Sequence, residues 1–89
     1  MKTIKTFVLK NKLGMHARAA AKIVNISSRY HSRVFLERDG SKINGKSILD
    51  ILTLACPMGS RITVEVDGVD ADDVMKELEE LIENKFGEE

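Results

Sequence analysis

The sequence predicts an α+β fold in two layers. A mainly antiparallel sheet carries helices on one side, in the order β-α-β-β-α-β-α. Three observations lead there. Residues 61–67 alternate, with Ile62, Val64 and Val66 on one side, as a half-buried strand does. Arg38-Asp39-Gly40-Ser41 sets an Asp-Gly pair between two strand-like runs, the signal of a tight hairpin. Residues 17–28 and 70–86 carry apolar residues at helical spacing on one side only. One-sided strands and one-sided helices bury their faces against each other, which gives two layers.

Taken in order, Thr3–Leu9 is rich in β-branched and apolar residues and reads as the first strand. The run Phe7-Val8-Leu9 breaks its alternation and leaves the inward face open. Asn11-Lys12-Leu13-Gly14 is a turn. A helix follows over 17–28, favoured by Ala17, Ala19, Ala20 and Ala21, with Ala20, Ile23, Val24 and Ser27 as its small-to-apolar stripe. Arg33–Glu37 is the second strand and residues 41–44 return as the third, ended by Asn44-Gly45. Ser47 can cap a short helix reaching about Ala55, and Pro57-Met58-Gly59 closes that region. After the fourth strand Asp67-Gly68 turns the chain. Asp70 is expected to cap the last helix, with Asp72 and Asp73 in its first turn. The core face of that helix is Val74, Leu78, Leu81, Ile82 and Phe86, with Gly87 as its stop.

A chain of 89 residues is one domain, residues 1–89, with a modest core. With 43% hydrophobic and 31% charged residues it is expected to fold rather than stay disordered. Its 14 basic and 14 acidic residues cancel, which argues against nucleic acid and for a protein or small-anion partner. A single cysteine, Cys56, rules out an intramolecular disulfide. The first residues lack the apolar run of a signal peptide, and no stretch approaches the roughly 20 residues that span a bilayer. The expected location is the cytoplasm.

The segment that carries chemistry is Gly14-Met15-His16-Ala17-Arg18. His16 stands where the chain leaves a turn and enters a helix. The first amides of a helix lack intrahelical acceptors, and the peptide dipoles add partial positive charge there. The backbone of Ala17 and Arg18 can therefore cradle an anion. The same field disfavours adding a proton to the imidazole, leaving a lone pair that can act as nucleophile. Arg18 can offer its planar fork to phosphate oxygens. A histidine beside an arginine at a helix start is also common with no role at all.

Beyond this local chemistry, Gly14-Met15-His16-Ala17-Arg18-Ala19-Ala20 resembles the active-site motif of the histidine-containing phosphocarrier (HPr) family of the bacterial sugar phosphotransferase system. Asn44-Gly45-Lys46-Ser47-Ile48-Leu49 resembles that family's second signature, around its regulatory serine. The likeness runs from the first strand to Phe86-Gly87. It implies sheet order 1-4-2-3 with three helices on one face. It implies that enzyme I, charged by phosphoenolpyruvate, phosphorylates His16 on Nδ1, and that the group passes to sugar-specific permease components. Arg18 is then the phosphate partner, and the protein a stoichiometric intermediate rather than an independent catalyst. No cofactor and no metal are expected. The family usually has proline where Ala19 stands. Alanine restores an N–H that is free anyway, so a small change in helix-start rigidity is expected.

Ser47 has two readings, a helix cap or, by the resemblance, a site for a dedicated serine kinase and phosphorylase. In the helix after it Ile48, Leu49, Ile51, Leu52, Leu54, Ala55 and Cys56 cover more than half of the wheel. Ile51 and Ala55 are expected in the core, and Leu49, with Leu52 or Cys56, in solvent. Such an excess suggests partner docking through Ile48, Leu49 and Leu52, or else cover by a neighbouring loop. His31 reads as a surface residue, and Glu77, Glu79, Glu80 and Glu83 as a solvated helix face. Two rival functions remain. One is the nitrogen-related phosphocarrier branch, with the same chemistry and regulatory partners. The other is a ferredoxin-like ligand-binding module, disfavoured by the extra C-terminal helix and few aromatics.

Overall fold

The computed structural model describes residues 1–88. The elements run β1 (Lys2–Val8), α1 (Ala17–Ser27), β2 (Arg33–Arg38), β3 (Ser41–Asn44), α2 (Ile48–Leu52), β4 (Arg61–Asp67) and α3 (Ala71–Glu83), with a final 3-10 turn over Lys85–Gly87. The order β-α-β-β-α-β-α holds. The four strands form one sheet in the order β1-β4-β2-β3, and every pairing is antiparallel.

The alternation of β4 sets the layers. Ile62, Val64 and Val66 are fully buried, and the register brings Phe7 opposite Ile62, Leu36 opposite Val64, and Val34 opposite Val66. In β1 the open question resolves by pleat: Phe7 points in and Val8 out, while Leu9 lies past the strand end and is buried. Lys5 shares the inner face but reaches the edge, where its Nζ meets Glu79 Oε1 of α3 at 2.8 Å. At the hairpin Asp39 and Gly40 both have positive φ, 52° and 84°, as a two-residue turn matched to strand twist requires.

Against this sheet α1 lays Ala19, Ala20, Ile23 and Ser27, and α3 lays Ala71, Val74, Met75, Leu78 and Ile82. Leu81 of the expected face is only half-buried. Glu77, Glu79 and Glu83, expected to be merely solvated, pair with Arg29, Lys5 and Lys10 at 3.0, 2.8 and 2.8 Å.

Three expectations are corrected. First, α2 ends at Leu52 rather than about Ala55. Thr53 and Leu54 continue as a turn and Ala55 adopts φ 49°, so the helical wheel fails beyond position 52. Ala55 is accordingly exposed, while Leu54 and Cys56 are buried. Second, Asp70 sits at the N-cap position of α3 but its side chain makes no capping bond. Its carboxylate instead accepts from the backbone amides of His31 and Ser32, both at 3.0 Å, and from the Ser32 hydroxyl. Competition from a second loop's donors takes the carboxylate across the fold. Third, α3 stops at Glu83, before Gly87. Lys85 and Phe86 then take φ of 56° and 57°. A left-handed non-glycine residue costs about 1–2 kcal/mol. Burial of Phe86 to 1% exposure offsets one such cost, since burying a large apolar side chain returns about 1.5–3 kcal/mol.

Candidate functional site

His16 is the N-cap residue of α1, in extended conformation (φ −117°, ψ 175°). Its carbonyl accepts the first intrahelical bond, from the Ala20 amide at 2.9 Å. The amides of Ala17, Arg18 and Ala19 therefore precede the helical ladder at the positive end of its dipole. The imidazole makes no capping bond of its own and is 22% exposed, open enough to meet a partner. Arg18 is exposed one residue into the helix.

The approach to His16 is fixed by the loop before it. Asn11 is fully buried and its Nδ2 donates to the Gly14 carbonyl at 2.7 Å. The Met15 amide donates to the Cys56 carbonyl at 2.7 Å, and Met15 itself is buried. Gly14 lies so close to the chain at 56–57 that a Cβ would stand 2.7–2.8 Å from Pro57 backbone atoms, and closer still to the Cys56 oxygen. Gly14 also has φ 64°. Only glycine meets both conditions at no cost.

A carboxylate closes the site. Glu88 Oε2 hydrogen-bonds His16 Nε2, and Glu88 Oε1 accepts from Asn11 Nδ2 at 3.1 Å. The bond to His16, then the bond to Asn11, and to a smaller degree the charges of His16 and Arg18, hold the Glu88 carboxyl below the usual glutamate range. Sequence reading did not single out Glu88 or the side chain of Asn11. Glu88 is 72 positions from its histidine, and nothing in the spacing of the two announces a contact. Asn11 gave a weak signal as a turn residue, but its bond to the tail spans 77 positions and has no local signature.

The family model described as "PTS HPr component phosphorylation site" matches residues 3–84. The chain belongs to the HPr family. It is 44% identical to the phosphocarrier protein HPr of Cupriavidus necator over 78 residues, 88% of each chain. It is 40% identical to that of Treponema pallidum over 86 residues, 97% of this chain and 98% of that one. The crystal structure of HPr-C-His from Thermoanaerobacter tengcongensis superposes with a TM-score of 0.94 at 40% identity, covering 98% of both chains. The fold expected of an HPr protein, sheet order 1-4-2-3 with helices on one face, is the fold found.

Ser47 Oγ accepts from the Asp50 amide at 3.2 Å, so the capping reading of Ser47 stands. On α2, Ile51 is fully buried, Leu49 is 77% exposed, Ile48 is partly exposed and Leu52 is half-buried. Exposed Leu13 and Met58 belong to the two loops that the Met15–Cys56 bond joins. Cys56 is buried, and that burial pushes its thiol up, with Arg38 offsetting part of the effect. A thiol so placed is a poor nucleophile. His31 is exposed and offers only its backbone amide, to Asp70. No helix is long and apolar enough to cross a membrane among the described residues.

Proposed function

We propose that this protein is a cytoplasmic phosphocarrier of the sugar phosphotransferase system. His16 takes a phosphoryl group from phospho-enzyme I, charged in turn by phosphoenolpyruvate, and gives it to sugar-specific permease components. The observation that carries this reading is the setting of His16: a partly exposed imidazole at a helix start whose first amides have no place in the ladder. A phosphoryl group on the ring brings charge of about −1.5 to −2, by analogy with phosphorylated hydroxyls. The amides of Ala17 and Arg18 and the Arg18 guanidinium can meet that charge without rearrangement of the fold.

Docking of enzyme I and permease components belongs to Ile48, Leu49 and Leu52, whose exposed apolar atoms sit on α2, which packs against α1 and leads into the loop whose Cys56 carbonyl accepts from the Met15 amide. Ser47, half-buried at the start of α2, is the position at which a serine kinase would interfere with that docking by adding charge. A phosphate there remains compatible with the helix start.

The test is incubation with phosphoenolpyruvate and enzyme I. An acid-labile, alkali-stable phosphate should form on the parent protein and not on His16→Ala. Arg18→Ala should stay folded and accept phosphate more slowly. Phosphate on the His16→Ala protein would refute the assignment, and unchanged kinetics in Arg18→Ala would remove Arg18 from it.

A further inference from the structure

We infer that Arg38 is a positioning residue for phosphoryl acceptance: from the end of β2 its guanidinium locks the turn after α2, and that turn holds the loop that presents His16. This rests on the phosphocarrier reading.

The helix before the turn is too short to hold it. α2 has five residues, Ile48–Leu52, and the last carbonyls of a helix lack intrahelical donors. The Leu54 amide still donates back to the Ile51 carbonyl at 3.1 Å, and Ala55 then takes φ 49°. Arg38 meets the carbonyls that follow. Its Nη1 donates to the Leu54 carbonyl at 3.2 Å and to the Ala55 carbonyl at 2.6 Å. Bonds from a cationic donor are stronger than those between neutral groups, and basic side chains serve helix ends in this way. The Arg38 side chain is only 27% exposed, so water competes less for these carbonyls than on open surface. Its ion-pair partner Asp39 is 87% exposed and lies 3.6 Å from Nε, which leaves Nη1 to the turn.

The next residue along is Cys56. Its carbonyl accepts from the Met15 amide at 2.7 Å, one position before His16. The far end of the same loop is fixed independently. The Gly59 amide donates to the Leu9 carbonyl at 2.8 Å, and the Leu9 amide to the Ser60 carbonyl at 2.9 Å. The Met15 bond thus lies between two anchors, Arg38 upstream and Leu9 downstream. Left-handed backbone is unfavourable for a residue with a Cβ, so Ala55 tends to relax once nothing holds its carbonyl. Relaxation there turns the Cys56 carbonyl away from Met15. The start of α1 then loses its fixed approach, and a small misplacement of a reacting group slows transfer.

Hydrogen exchange in the full-length protein tests this, beside single-turnover phosphorylation by phospho-enzyme I. Arg38→Met keeps the apolar stem and removes the donors. In that variant the Met15 amide should exchange faster than in the parent by about tenfold more than the amides of β4, which report global opening. Phosphoryl acceptance at saturating enzyme I should slow several-fold. KM for enzyme I should stay unchanged, because Ile48, Leu49 and Leu52 precede the turn that is freed. Arg38→Lys returns a cationic donor to the same carbonyls and should recover part of both effects. Equal acceleration of the Met15 and β4 amides would show that Arg38 only stabilises the fold and would overturn the inference, as would an unchanged acceptance rate. A parent protein that takes no phosphate would instead refute the phosphocarrier reading, and the exchange of Met15 would still decide whether Arg38 holds the loop.

Discussion

Gly14→Ala separates backbone strain from steric fit at the loop that presents His16. Two costs are expected. The first is conformational: at φ 64° a Cβ costs about 1–2 kcal/mol. The second is contact. The new methyl would lie 2.7 Å from the Pro57 carbonyl carbon and 2.8 Å from its Cα, and closer still to the Cys56 oxygen. These are backbone atoms and cannot swing away. Relief requires the two loops to part, which breaks the buried 2.7 Å bond from the Met15 amide to the Cys56 carbonyl. Leaving buried partners unsatisfied costs about 1–3 kcal/mol. The total is about 2–5 kcal/mol. A chain of this length is stabilised by roughly 4–13 kcal/mol at the usual values per residue, so the variant is expected to lose a large share. Gly59 supplies the control. It has φ 89° and nothing within 4 Å of its would-be Cβ, so Gly59→Ala bears the conformational cost alone. Urea unfolding of both variants reads the difference. It should be at least about 1 kcal/mol, against Gly14→Ala. At about 4–8 °C per kcal/mol the melting temperatures should separate visibly. Equal stabilities for the two variants would refute the claim that the loops are clamped at this contact.

Leu49→Glu should change stability by no more than about 0.5 kcal/mol, because the side chain is 77% exposed, yet weaken enzyme I binding in titration calorimetry. A large stability loss would show Leu49 to be packed, and unchanged binding would remove it from the docking face. Its helix neighbour Ile51, fully buried, should cost about 2–5 kcal/mol as Ile51→Ala. Asp70→Asn tests the carboxylate that bridges to the 31–32 loop. The Ser32 hydroxyl and the amides of His31 and Ser32 hold the Asp70 carboxyl below its ordinary value. A group lowered on folding contributes stability above its unfolded pKa, about 3.9, and that contribution is lost as pH falls through the folded value. Urea midpoints should therefore fall less steeply below about pH 4 in Asp70→Asn than in the parent, from a lower value at neutral pH. Parallel pH profiles would contradict this.

What the sequence reveals here depends on how far apart the cooperating residues lie. The alternation of Ile62, Val64 and Val66 names its own buried face, because a period of two needs no knowledge of the rest of the chain. Likewise the Asp39-Gly40 turn, the Ser47 cap and the field at the start of α1 are properties of a few consecutive residues. Reading fails where a second segment competes for the same group. Asp70 has the right type and place to cap α3, but donors 38 and 39 positions away hold its carboxylate. The apolar run 48–56 reads as one helix by periodicity, yet Ala55 turns left-handed and Arg38 reaches in to bond the Leu54 and Ala55 carbonyls at 3.2 and 2.6 Å. That arginine gives the chain an alternative to further helical bonds.

The same distinction divides the candidate site. The proposed nucleophile, anion cradle and counter-charge lie within Gly14–Arg18 and follow from local physics. The groups that orient the nucleophile do not. Gly14 is glycine because of Cys56 and Pro57, and Asn11 is buried with its amide shared between Gly14 and Glu88. Glu88 reaches His16 only because Phe86 enters the core and the chain accepts left-handed backbone at Lys85 and Phe86 to let it. A substitution at Phe86 should therefore disturb the His16 ring without touching it, whereas one at Ala17 leaves the cradling amide in place unless it is proline. Identity of the reacting group is a local property of this chain, and its orientation is a property of the whole fold.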